Sequence, residues 1–191
     1  MLENIPRHVG SALAAFRSGM DNIACFSQSL SRLPATMSLR SPAFGNAAAI
    51  PRRFTADGEK MSPPLEWSHV PSAAAALVIL IEDADAPSVK PLVHGIVADL
   101  PPRPGRLVEG ELKSPAGEGT PHLLGRNSFM QAEYLPPDPP PGHGLHRYVF
   151  QIYALDAPPN FEKTPGRNEV IDRIRSYGLA KGVLLGTYER N

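Results

Sequence analysis

The chain has 191 residues, with 19 basic and 19 acidic side chains and a net charge of zero. That balance excludes the positive field on which non-specific nucleic-acid binding depends, and the single cysteine, Cys25, excludes an internal disulfide or a cysteine-built metal site. No apolar run approaches the roughly 18 residues of a membrane span, and no basic region leads into an apolar core at the N-terminus, so a cytoplasmic protein of one domain plus an appended segment is expected.

Residues 1–35 read as an N-terminal helical extension. Ile5, Val9, Leu13, Phe16 and Met20 recur at spacings of three and four, and Pro6 suits a first helical turn. Such a helix packs on its own domain or on a second copy of the chain, as in a homodimer; a membrane-surface helix and an Arg-bearing presequence are the alternatives. The main domain, residues 36–191, begins with short extended pieces. Residues 37–41 alternate like an edge strand, 52–58 form a strand ending in an Asp-Gly turn, and 65–67 form another, with Trp67 as a core anchor.

Residues 76–81 are continuously apolar and β-branched, the pattern of a strand buried on both faces. The run breaks into Glu82, Asp83 and Asp85, turns at Ala86-Pro87 and resumes as a strand carrying His94. Residues 109–125 read as a long surface loop and 125–128 as a tight turn. The proline-rich stretch 135–144 can only be a stiff, extended rim. It feeds a second strong strand, 146–155, in which His146, Tyr148, Phe150 and Ile152 share one face and Arg147, Val149, Gln151 and Tyr153 the other. A helical pattern follows over 165–177, with Gly178 as its stop, and 182–188 returns as a closing strand. The fold class is mainly β with helices near the ends.

Asp83, Asp85, His94 and His146 are the candidate functional residues. Each lies in or beside a buried strand, where a polar group needs a partner. The two aspartates share a side if the strand persists to Asp85, and carboxylates brought that close need an imidazole, an Arg, a metal or a shared proton. Singly, a buried histidine is most often a satisfied core residue and an Asp at a strand end most often caps a turn. The convergence of DADAP, a histidine on the next strand and a proline loop delivering GLHRY sets these residues apart.

Asp83-Ala84-Asp85-Ala86-Pro87 resembles the first motif of the phosphatidylethanolamine-binding protein (PEBP) family, and Gly144-Leu145-His146-Arg147 resembles its second. Val93-His94 sits where that family has its site histidine. Phe54 to Gly58, Ser62 to Trp67, Gly125-Arg126-Asn127, Tyr134 and the closing Gly186-Thr187-Tyr188 agree as well. The resemblance spans residues 37–191 and is nearest the bacterial, Raf-kinase-inhibitor-like branch. It implies a large antiparallel sheet packed on a smaller one with peripheral helices. It also implies a pocket for a small anion or a phosphoethanolamine head group, lined by Asp83, Asp85, Pro87, His94, His146 and Tyr148 with a Pro139-Pro140 rim. Two departures bear on that pocket: Leu92 stands where an aromatic is common, and Pro136-Pro137-Asp138 replaces a Gly-Pro start, adding a negative charge at the mouth.

The expected function is a non-enzymatic binding protein for phosphate or a phospholipid head group, one that tunes a partner enzyme. No cofactor or metal is expected. The alternative is a hydrolase or isomerase using the Asp/His set as acid and base or as a metal site. A third reading is an interaction module that regulates a kinase or protease. No nucleophile stands beside a base in any recognisable motif.

Overall fold

The computed structural model describes residues 5–112 and 122–190. Two sheets account for most of them. The larger has six strands in the order β2 (Ala48–Ala49), β9 (Gly178–Tyr188), β8 (His146–Leu155), β4 (Ala76–Asp83), β5 (Leu92–Leu100) and β7 (Leu123–Leu124). All its pairings are antiparallel except that of the short edge strand β2, which runs parallel to β9. The smaller sheet is antiparallel, with β3 (Leu65–Ser68) between β1 (Ser38–Arg40) and β6 (Gly105–Leu107). Among the described residues the helices are α1 (Arg7–Leu13), α2 (Arg167–Tyr177) and three single 3-10 turns.

Every residue of β4 is buried, which explains its continuous apolar run. Its alternate side chains enter different cores. Leu77, Ile79 and Ile81 meet Leu39, Trp67 and Leu107 of the small sheet, while Val78 and Leu80 meet Ile23, Leu30, Val170 and Ile174 on the other face. Each such side chain contributes about 1.5–3 kcal/mol when withdrawn from water. The period-two pattern of a half-exposed strand is absent because neither face is exposed. Trp67 anchors the first core, and its indole N–H donates to the Arg103 carbonyl at 3.0 Å.

The N-terminal segment departs from its expected form. The helical stripe ends at Leu13, and Val9, Leu13 and Phe16 stay partly exposed. Gly10 is the buried residue of α1. The contribution to the core comes further on, where Ile23, Ala24, Cys25 and Leu30 are fully buried in a run of 3-10 turns. Buried polar side chains of the large sheet fix those turns. The Ala24 N–H donates to Glu82 Oε2 at 2.9 Å, and the Cys25 N–H donates to Gln151 Oε1 at 2.8 Å. The Lys181 ammonium donates to the carbonyls of Cys25, Leu30 and Ser31 at 2.7, 2.9 and 3.1 Å. Backbone that cannot pair with a strand is thereby satisfied by side chains.

Other expectations are corrected locally. Residues 52–54 form a 3-10 turn and not a strand, because Pro51 starts a turn that the Phe54 and Thr55 N–H groups close onto Pro51 and Arg52 carbonyls. Leu123–Leu124, placed in a long loop by sequence, pairs with the edge of β5; the rest of that loop, 113–121, lies outside the described residues. Gly178 does not terminate α2 in a left-handed turn. It has φ −69° and opens β9 directly, four residues earlier than the sequence suggested.

Lys181→Met keeps the length of the side chain and strands three carbonyls without a donor. The expected outcome is a loss of about 2–4 kcal/mol of stability in urea denaturation, with the sheet intact by circular dichroism.

Candidate functional site

Three adjacent strands of the large sheet end together, and the register sets what meets there. Asp83, last residue of β4, stands opposite Leu92 on β5 and Tyr148 on β8, and His146 opens β8 beside Tyr188 of β9. Between β4 and β5 the chain turns tightly: Asp83 Oδ1 accepts the Asp85 N–H at 2.8 Å, and Ser88 N–H bonds back to Ala86. The proline stretch closes over this end. A cavity of about 80 Å³ results, lined by Asp83, Ala86, Pro87, Leu92, His94, Phe129, Leu135, Pro136, Asp138, Pro140 and His146. It holds a few waters or one small polar group.

Hydrogen-bond partners fix where protons sit. His94 Nδ1 lies 2.7 Å from the Leu135 carbonyl, which can only accept, so Nδ1 carries the hydrogen. The Leu135 N–H bonds back to the His94 carbonyl at 2.7 Å, so ring and backbone are both pinned. His94 Nε2 is buried and has no partner among the described residues. Burial holds the His94 ring below its ordinary pKa, so at neutral pH Nε2 is a bare acceptor lining the cavity. The Tyr148 ring meets His94 edge-on at 5.0 Å. Its hydroxyl is likewise without a partner among the described residues, and burial pushes its phenol well above the usual range.

His146 belongs to a relay. Its Nδ1 lies 2.8 Å from Asp83 Oδ2 and its Nε2 lies 2.7 Å from His143 Nδ1. His143 Nε2 lies 2.9 Å from the Leu13 carbonyl, so His143 carries its hydrogen on Nε2 and accepts at Nδ1. Burial, with His146 and Arg17 nearby, holds His143 below its ordinary pKa, which keeps it neutral. His146 must therefore donate from Nε2. A single further proton lies between His146 Nδ1 and Asp83, and the pair is neutral overall.

The predicted set is thus partly assembled. Asp83, Pro87, His94, Pro140 and His146 line the cavity. Tyr148 packs behind the two imidazoles, and Pro139 turns its carbonyl to Arg190 Nη1 at 2.9 Å. Asp85 is outside. The strand ends at Asp83, so Asp85 faces the other way and binds Arg147 through Oδ2 (Nε at 2.7 Å, backbone N–H at 2.9 Å) and Oδ1 (Nη2 at 2.7 Å), with Arg17 Nη1 at 3.0 Å. Arg147, on the strand face opposite His146, directs its guanidinium to Asp85. Burial pushes the Asp85 carboxyl up, and the hydrogen bonds from Arg147 and Arg17 outweigh it, holding the group below the ordinary carboxylate range.

Sequence reasoning passed over His143, Arg17, Asp57 and Arg190. His143 sits three residues before His146 in PPPGHG, and that spacing was the available signal. Arg190 clamps the rim: Nη1 meets Asp138 Oδ1 at 2.7 Å while Nε and Nη2 bind Asp57, whose Oδ2 also accepts the Tyr188 hydroxyl at 2.6 Å. The charge that Asp138 brings to the mouth is therefore paired. Among the described residues no serine, threonine or cysteine is hydrogen-bonded to His94, His143 or His146, and no His/Cys/Asp/Glu cluster is arranged to hold a metal. No described helix is long and apolar enough to cross a membrane.

Residues 40–189 match the family model for phosphatidylethanolamine-binding protein. A UPF0098 protein of Methanothermobacter thermautotrophicus is 35% identical over 164 residues, covering 81% of this chain and 99% of its own. A UPF0098 protein of Aquifex aeolicus is 34% identical, covering 82% and 91%. A solved Chlamydia trachomatis structure, described as a PEBP homologue, superimposes with TM-score 0.74 at 32% identity over 82% of this chain and 99% of that one. Escherichia coli YbcL shares the fold, with TM-score 0.73 at 23% identity over 82% and 100%.

Asp85→Asn removes the charge that two partly exposed guanidiniums share; the expected loss is about 1–3 kcal/mol in chemical denaturation at pH 7. Because the folded carboxyl is depressed, wild-type stability from this group is complete above the unfolded value of about 3.9 and is lost as pH falls through the folded value. The gap between wild type and variant should therefore narrow on acidification below about pH 4. A gap constant between pH 6 and pH 3 contradicts this assignment.

Proposed function

The chain belongs to the phosphatidylethanolamine-binding protein family, and we propose that it is a binding protein whose cavity takes the phosphate or phosphoethanolamine group of a small ligand at His94. Binding proteins are what this family typically contains. The observation that carries the reading is His94 Nε2, a buried and unpartnered polar atom in a mostly apolar cavity. Such an atom is costly unless a ligand or water satisfies it.

The electrostatics set what that ligand must bring. Asp83 and His146 are neutral as a pair, and His146 Nε2–H is committed to His143. Asp138 is paired with Arg190. His94 is neutral and offers a lone pair. The cavity therefore favours a ligand that arrives with a proton: a protonated phosphate, an acid, or an ammonium such as that of ethanolamine. A fully ionised phosphate binds only with uptake of one proton onto His94 Nε2, which then becomes a charge-assisted donor. The Tyr148 hydroxyl stays protonated behind the imidazoles and is not part of the cavity lining.

The same bare Nε2 could act as a general base, which is the specific feature that favours a hydrolase or isomerase. That reading needs a substrate proton within reach of Nε2, and the relay through His146 and His143 ends on a backbone carbonyl and not on a nucleophile. Ligand binding is accordingly the stronger conclusion.

Titration calorimetry with inorganic phosphate and with phosphoethanolamine tests it. For fully ionised phosphate, binding takes up a proton, so affinity rises as pH falls, by up to about tenfold per pH unit, and levels off once free phosphate itself carries that proton. His94→Ala should lose at least about tenfold in affinity. An affinity flat between pH 6 and pH 8, and unchanged in the variant, would sink the proposal.

A further inference from the structure

Residues 7–17 precede the stretch that matches the family model, residues 40–189, yet they contact both loops that build the cavity. α1 rests on the proline loop through Gly10. A Cβ at that position would stand 2.0 Å from the Pro141 carbonyl oxygen, so only glycine allows the approach. Ser11 Oγ donates weakly to the Gly142 carbonyl at 3.4 Å, and the Leu13 carbonyl accepts from His143 Nε2 at 2.9 Å. Arg17 completes the contact. Its guanidinium donates to the carbonyls of His143 and Leu145 at 2.6 and 2.7 Å and meets Asp85 Oδ1 at 3.0 Å.

The grip is uneven along the segment. Gly10 is the buried residue of α1, and Val9 and Leu13 stay partly exposed, so little apolar surface holds the helix down. From Ser18 onward the chain is fastened. Ser18 and Gly19 N–H groups donate to the Ala86 and Ala84 carbonyls at 3.1 and 2.7 Å, and Ile23 to Cys25 are wholly buried. Residues 7–17 can therefore leave the proline loop while the rest of the N-terminal segment stays in place.

We propose that residues 7–17 are a strap that sets the direction of the His143–His146 hydrogen bond and so controls one donor of the pocket. The inference rests on reading the cavity as an anion site. With the strap docked, the Leu13 carbonyl obliges His143 to carry its hydrogen on Nε2 and to accept at Nδ1. The His146 Nε2–H is then consumed within the relay. With the strap released, His143 Nε2 faces water, both tautomers become accessible, and the ring is free to turn from His146. The His146 Nε2–H is then available to an anion. The strap is an internal competitor for that donor, and its release raises anion affinity by the worth of one hydrogen bond, about fivefold to tenfold.

The test compares wild type with Gly10→Val, which drives α1 off Pro141, and with Arg17→Gln, which removes the charge anchor without adding bulk. Side-chain nitrogen NMR of histidine-labelled protein reads the tautomers, amide exchange reads strap release, and calorimetry reads inorganic phosphate binding. Wild-type His143 should be protonated at Nε2 alone. Gly10→Val should average the two tautomers and bind phosphate about fivefold more tightly, and Arg17→Gln should move both in the same direction by less. The proposal is overturned if His143 keeps its tautomer while exchange shows residues 9–16 released, or if phosphate affinity in both variants is unchanged or lower. A wild type that does not bind phosphate defeats the anion reading instead, and the tautomer comparison then still decides whether the strap governs His143.

Discussion

A strand buried on both faces cannot carry a carboxylate without a partner, and the chain at and just beyond β4 carries three. Glu82 faces the helical side and is satisfied by the Ala24 N–H, the Gln151 amide and Arg167 of α2. Asp83 faces the opposite side and is satisfied by His146 and the Asp85 N–H. Asp85, just past the strand, is satisfied by Arg147 and Arg17. Each acid draws a different part of the chain to the centre of the sheet: the N-terminal turns and α2, the start of β8, and the arm that leads out of α1. Much of the architecture follows from the need to pair these groups.

That pairing also makes the cavity electrically quiet. A pocket with two aspartates and two histidines suggests a field, but Asp83 and His146 cancel, Asp85 is turned away, and Asp138 is held by Arg190. What remains in the largely apolar wall is one imidazole nitrogen with no partner among the described residues. Recognition then depends on which partner carries the proton, and not on attraction between opposite charges.

The proline stretch supplies the wall and also its fastening. Prolines cannot extend the sheet, so the rim is fixed from outside: the Leu135 N–H on the His94 carbonyl, Arg190 on Asp138 and the Pro139 carbonyl, and α1 against Pro141. Rigid backbone with few donors of its own leaves the cavity small and dry-walled. It also places His143, a buried imidazole, between the N-terminal arm and the site.

The linear chain by itself determined the strands with strong patterns. Residues 76–81 and 146–155 were legible because apolar runs and period-two alternation report burial directly, and the turn at Ala86-Pro87 and the stiffness of 135–144 follow from proline chemistry. The resemblance of its two motifs to the PEBP family, and not the strand pattern, implied that Asp83, His94 and His146 share one pocket, since strand order is not written in the pattern. The linear chain could not determine which way Asp85 points, because one residue past a strand end the alternation no longer holds and the Arg17 and Arg147 guanidiniums decide. Nor could it assign His143, Arg17 or Arg190, whose partners lie 130, 68 and 133 residues away along the chain. Such contacts exist only once the sheet has closed, and buried polar groups then take whichever partner the closed structure brings within reach.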